Sequence, residues 1–251
     1  MIRFENTEVM GWEHAIRGMR NPMNSWDKMD SGYEPEFENP TGPVKGVFVI
    51  GPNDLDLMTR LSNAGTDHRK FMRMIVVYVD LTAPLYWWKE FDTYKVGTVA
   101  NSCSTMHKIA EKGFTLEDFS HEHLIAREKP LHEGGGDAPE PPNAVWLMHR
   151  IVQTLNQYRD LYFETKDKKY WWQMIQLLPS SYNQKRTVML NYEVLANIHK
   201  SRRNHKLDEW HTFCDWIEEL PYSELITDSG EAKSPEFMIK HFHIPKENKD
   251  E

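Results

Sequence analysis

The chain has 251 residues, 39% hydrophobic, 27% charged and 12% aromatic, enough apolar material for a real core, and a formal charge of −8 at pH 7. That charge excludes a nucleic-acid or membrane surface as the principal partner, because both demand a net basic face, although a local basic groove stays open. Cys103 and Cys214 are too few for a disulfide framework, and neither an N-terminal apolar leader nor a long apolar run occurs, so a cytoplasmic protein with reduced thiols is expected.

In chain order, Ile2-Arg3-Phe4-Glu5 alternates as a short strand does, and residues 9–19 carry Trp12, Ile16 and Met19 at amphipathic-helix spacing until Asn21-Pro22 ends the helix. Residues 31–44, with Gly32, Pro35, Pro40, Gly42 and Pro43, have the composition of a loop, and Val47-Phe48-Val49-Ile50 reads as a buried strand or strand edge. Gly51-Pro52-Asn53-Asp54 opens a helix with Leu55, Met58 and Leu61, which Asn63-Ala64-Gly65 stops. Residues 71–81, centred on Ile75 to Val79, are rich in the β-branched and aromatic residues of a strand. Thr82-Ala83-Pro84 reads as a capped helix start, with Leu85, Trp88, Phe91 and Lys95 on one flank.

The Gly- and Pro-rich stretch 127–143 reads as an exposed loop or insertion. Helices are expected over 145–163, over 170–178 up to Pro179, over 187–199 and over 208–220, where Pro221 closes the series. Together these segments predict an α+β chain, a mixed sheet flanked by helices with an α-rich C-terminal half, in one domain over 1–227 followed by a charged tail over 228–251. The clusters Trp87-Trp88, Trp171-Trp172 and Trp210 to Trp216 suit a core, a subunit interface or a flat-ring ligand.

The order of these pieces carries a family pattern. Gly65-Thr66-Asp67-His68 precedes a strand, Thr82-Ala83-Pro84 opens a helix, and a polar turn follows with Lys95, Gly97, Thr98, Asn101, Ser102 and Ser104. Further on come Tyr158, Glu164, Leu177-Leu178-Pro179, Asn191, Arg202-Arg203, and Glu209 with Trp210. Over roughly residues 45 to 220 the chain resembles the flavin-dependent thymidylate synthases (ThyX) in pattern more than in identity.

The resemblance implies a homotetramer in which flavin, as FAD, carries reducing equivalents, a folate donates one carbon, and C5 of a deoxyuridine monophosphate-type pyrimidine nucleotide receives it. Carried over position by position, it places Lys95, Asn191 and Arg203 at the cofactor and Ser102, Ser104 and Arg202 at the substrate; it assigns no catalytic residue and no metal. Where the family has Arg-His-Arg, this chain has Glu90-Phe91-Asp92. The family's arginines contact flavin and nucleotide phosphates, and carboxylates repel such anions. Either the site takes a different ligand or Lys89, Lys95, Arg202 and Arg203 hold the phosphate instead; the alternative is a solvated charged helix flank.

Lys185-Arg186 and residues 200–206, with Arg202, Arg203 and His205, form the most basic stretch. Around a helix terminus they could hold a phosphate by charge and backbone N–H groups, or simply complement a helix dipole. His121-Glu122-His123 and His241-Phe242-His243 lack the third and fourth ligands of a closed zinc site and read as surface histidines. Cys103, between Ser102 and Ser104, is a possible nucleophile with no identifiable base, and a buried, inert thiol is the plainer reading. Two functions remain: the flavin-dependent enzyme, or a scaffold that kept the fold, lost the reaction and binds a nucleotide or a protein partner, as a phage accessory protein would.

Overall fold

The structure is a computed structural model of the chain, and it describes residues 2–33, 48–127 and 142–227. The loop expected at 31–44 lies outside the described residues from 34 on. So do residues 128–141 of the 127–143 insertion, the tail from 228, and His241-Phe242-His243.

Strand β1 (Arg3–Met10) is longer than the expected four residues, and helix α1 (Trp12–Arg20) starts later than 9. Gly11 sets that boundary. Its φ of 96° is left-handed, and a Cβ there would sit 2.1 Å from the Met74 carbonyl oxygen, so the chain turns at the one residue that tolerates both. After the short antiparallel pair β2 (Gly32–Tyr33) and β3 (Phe48–Val49), α2 (Pro52–Asn63) begins at the expected place. Gly51 has no side chain to cap it; the Asp30 carboxylate accepts from the Asn53 and Asp54 backbone N–H groups instead, at 2.9 and 3.0 Å.

The strand expected at 71–81 is corrected. Arg69–Met74 form a 3₁₀ turn that buries Phe71 and Met72, and β4 (Val76–Pro84) runs on through Thr82-Ala83-Pro84. Thr82 is therefore a buried strand residue and no helix cap. Helix α3 (Leu85–Phe91) needs none, because the Tyr182 and Ser180 carbonyls accept from the Leu85 and Tyr86 N–H groups, both at 3.0 Å. It ends at Phe91, so Lys95 lies beyond it.

Strand β5 (Val99–Ser102) and the single turn α4 (Thr105–Lys108) follow. Helices α5 (Ala144–Thr165) and α6 (Lys168–Leu177) match expectation, with N-caps Asn143 and Asp167 accepting from the Trp146 and Lys169 N–H groups. The helix expected at 187–199 is corrected: β6 (Asn183–Asn191) occupies its first half and α7 (Tyr192–Arg202) starts only at 192. Val188 and Leu190 alternate into the core, and Asn191 is the N-cap, its Oδ1 accepting from the Val194 N–H at 3.0 Å. Helix α8 (Asp208–Glu219) and the short α9 (Glu224–Thr227) end the described chain.

The chain is α+β, as the pattern predicts, with a four-stranded sheet in the order β1-β4-β6-β5. Contacts divide it into two compact units, Met1–Arg3 with Leu81–Thr93 and Asn101–Arg186, and Phe4–Asp80 with Tyr94–Ala100 and Thr187–Glu251. In the first, the α5–α6 hairpin closes on Phe114, Phe119, Leu155 and Met174, and Asn156 holds Phe114 through both its backbone N–H and carbonyl, at 2.8 and 2.9 Å. In the second, α1, α2, α7 and α8 bury Ile16, Met58, Leu195, Trp210 and Phe213, and the Tyr192 hydroxyl donates to the Pro221 carbonyl at the centre.

Candidate functional site

Within the second unit, the segment Tyr94–Ala100 is pinned to both ends of α7. At the start of the helix, Gly97 (φ 79°) comes so close that an added Cβ would lie 2.8 Å from Asn191 Nδ2 and 3.0 Å from Val194 Cγ2. At the other end Arg202 Nε donates to the Tyr94 hydroxyl at 2.9 Å. The Arg202 guanidinium also rests 4.7 Å from the Trp210 ring centre and 5.6 Å from that of Tyr94, two rings that meet edge to face. Such stacking orients a cation without consuming its charge.

Arg203, next in sequence, is in a different position: it pairs with Asp215 and, at 3.4 Å, with Glu218. Its hydrogen bond to Asp215 raises its pKa further. Two carboxylates already satisfy it, whereas Lys95 is exposed. Both arginines sit at the C-terminal end of α7, where carbonyls and not N–H groups point outward. The expected backbone N–H cradle is therefore absent there, and the basic residues complement the negative end of the helix dipole.

The structure thus brings Lys95, Asn191, Arg202 and Arg203 into one unit, while Ser102 and Ser104 belong to the other, both exposed at and after the end of β5. Asn191 is fully engaged as helix cap and as neighbour of Gly97. Asn191→Ala should lower stability by about 1 kcal/mol, as lost N-caps do. Chemical denaturation without any ligand measures it, and an unchanged midpoint would remove the capping role.

In the first unit, Asp92 pairs with Arg186 Nη1 at 2.7 Å. The Arg186 guanidinium stacks 4.1 Å from the Trp88 ring centre, and its Nε donates to Gln184 Oε1 at 3.0 Å. The carboxylate that stands in the altered motif is therefore charge-compensated, by an arginine that sequence reading placed only within a basic stretch. The burial expected of Cys103 is corrected: it follows directly on β5, a strand exposed along its whole length, and is itself exposed, its N–H donating to the Lys185 carbonyl at 3.0 Å. Burial pushes the Cys214 thiol up to about 11, which keeps it an inert core residue.

His121 Nδ1 lies 2.8 Å from the Phe119 carbonyl oxygen, and no group of three His, Cys, Asp or Glu side chains that could hold a metal occurs among the described residues. No described helix is long and apolar enough to cross a membrane. A cavity of about 380 Å³ is lined by Phe4, Thr7, Thr212, Asp215, Trp216, Glu219 and Leu220, and one of about 330 Å³ by residues from Lys108 to Asp118 with Tyr182. None of the expected site residues lines either.

No protein-family description and no curated protein matches this chain. Solved structures do. A thymidylate synthase X (ThyX) from Helicobacter pylori, with FAD and dUMP, superposes with a TM-score of 0.59 at 13% identity, over 91% of this chain and 98% of that one. A second structure of the flavin-dependent enzyme from the same organism, complexed with FAD and dUMP, gives 0.59 at 14% identity, over 92% and 100%. The UMP/dUMP methylase PolB from Streptomyces cacaoi, bound with 5-Br dUMP, gives 0.54 at 13%, over 93% and 98%. The fold is ThyX-like across nearly the whole chain; identities this low establish the fold alone.

Proposed function

We propose that this chain binds a pyrimidine nucleotide of the deoxyuridine monophosphate type and takes part in its flavin-dependent methylation. The observation that carries the reading is the fold, shared over more than nine-tenths of the chain with proteins solved with dUMP or its 5-bromo analogue. The side chains of the second unit suit such a ligand. Arg202, held against Tyr94 and Trp210, brings a guanidinium whose charge suits a phosphate, and exposed Lys95 adds a second cation. FAD, when bound, would supply the reducing equivalents, and a folate the carbon; the protein's part is to bind and orient. Exposed Trp146, Leu147, Phe163 and Trp172 suit the subunit contacts of a homo-oligomer, a tetramer on the family's pattern.

Arg202→Ala should weaken dUMP binding at least tenfold, the scale of one lost charge-assisted contact, and Arg203→Ala should leave affinity unchanged because Asp215 and Glu218 already occupy it. Calorimetric titration of both variants measures this. Equal affinities for wild type and Arg202→Ala would sink the assignment. A second reading, a scaffold that binds nucleotide without flavin chemistry, is favoured by one observation: Asp92, in the altered motif, is neutralised within the chain by Arg186 and leaves no free guanidinium fork there.

A further inference from the structure

Glu193, in the first turn of α7, is a nearly buried carboxylate, 11% exposed, that faces two arginines. Arg73 grips it with both Nε and Nη2, the latter at 3.1 Å, yet the Arg73 side chain itself is 54% exposed. Arg69 stands behind, 21% exposed. Its Nη2 donates to Asn197 Oδ1 at 3.0 Å, while its buried Nε has no hydrogen-bond partner and lies 3.9 Å from Glu193 Oε1. Leaving a charged donor unfilled beside a carboxylate is unfavourable. A shift of about 1 Å would bring Arg69 Nε into hydrogen-bond range of Glu193.

We propose that Arg73 is a phosphate-binding residue held by Glu193, and that Arg69 takes over Glu193 when a phosphate monoester takes Arg73. Removing Arg73 from a buried carboxylate would ordinarily strand a charge. Here the second guanidinium makes the exchange cheap. A phosphate dianion, unlike a carboxylate, offers more charge than Glu193 does, which lets it compete for the bidentate fork at a half-exposed position. Around the turn, the cations Arg69, Lys70 and Arg73 outnumber the carboxylates Asp67 and Glu193. The inference needs neither flavin nor the Arg202 site.

The test is calorimetric titration of the full chain with inorganic phosphate and with dUMP, in wild type, Arg73→Ala, Glu193→Gln and Arg69→Ala, each repeated with Arg202→Ala to separate the two sites. Arg73→Ala should weaken phosphate binding at least tenfold with little change in thermal midpoint, since Arg69 remains for Glu193. Glu193→Gln should tighten it severalfold by releasing Arg73, and Arg69→Ala should weaken it without touching the ligand. A purely structural ion pair predicts no gain from Glu193→Gln. Tighter binding of dUMP than of phosphate would mark a nucleotide as the source, and equal binding free phosphate. No phosphate binding by wild type, unchanged affinity in Arg73→Ala, or no gain in Glu193→Gln would overturn the proposal.

Discussion

Replacing Asp54 with alanine should lower the unfolding free energy by about 3–5 kcal/mol, because it strands a buried guanidinium and two backbone donors together. The Asp54 side chain is fully buried and that of Arg20 nearly so, 0% and 4% exposed. Asp54 Oδ1 accepts from Arg20 Nε at 2.6 Å, while Oδ2 accepts from the Asp30 and Ser31 N–H groups, both at 3.0 Å, and from the Ser31 hydroxyl at 2.6 Å. Asp30 in turn caps α2, so the one carboxylate ties α1, α2 and the segment before β2 together. Urea denaturation measures the loss, and a change under about 1 kcal/mol would show that the network is dispensable.

The same group sets an acid limit. Burial alone would raise the Asp54 pKa, but the hydrogen bonds from Ser31 and Arg20, with Arg20's charge, outweigh it and hold the carboxyl below its ordinary value of 3.8. A lowered folded-state pKa means that this stabilisation is complete above the unfolded value and is lost as pH falls below it. Wild type should therefore lose stability on acidification below about pH 4, and Asp54→Ala should lose less over the same range.

Trp210→Ala should destabilise by about 3–5 kcal/mol, the scale of a large aromatic removed from a core, and should also disorder the proposed nucleotide site. Trp210 is fully buried, packs edge to face on Phe213 at 5.7 Å and on Tyr94 at 6.1 Å, and carries the Arg202 guanidinium on its ring. Trp210→Phe keeps a ring for the arginine at a smaller cost. It should retain most dUMP affinity, whereas Trp210→Ala should lose it even at temperatures where it remains folded. Thermal unfolding and titration of both variants separate packing from orientation; equal dUMP affinity in the two would show that Arg202 needs no platform.

Long periodic helices such as α5 and α8 were legible from the residues, because each carries a sustained apolar stripe, and α5 also opens on the side-chain cap Asn143. Thr82-Ala83-Pro84 misled, since it carries a helix-start signal, and the carbonyls that cap α3 come from Ser180 and Tyr182, about a hundred positions away. At 187–199 the apolar residues fit either period, and the signal that decides is Asn191 followed by an acidic first turn, an N-cap four residues inside the expected helix. The same limit governs the site. Arg202 stood out as part of a basic run, but its partner Tyr94 is 108 residues distant, and Arg73 meets Glu193 across 120. Arg203 is engaged by Asp215 and Glu218, one helix further on, which its place beside Arg202 in the sequence does not reveal.

The most direct test of the central claim is an absorbance spectrum of the freshly purified protein through the near-ultraviolet and visible, repeated after adding FAD and then dUMP. A flavin bound on the ThyX-like fold should give the flavin band, shifted from that of free FAD, with a further change when dUMP binds. A colourless protein whose spectrum after FAD and dUMP is the sum of its parts would contradict the flavin-dependent reading and leave a scaffold that has kept the fold without the cofactor.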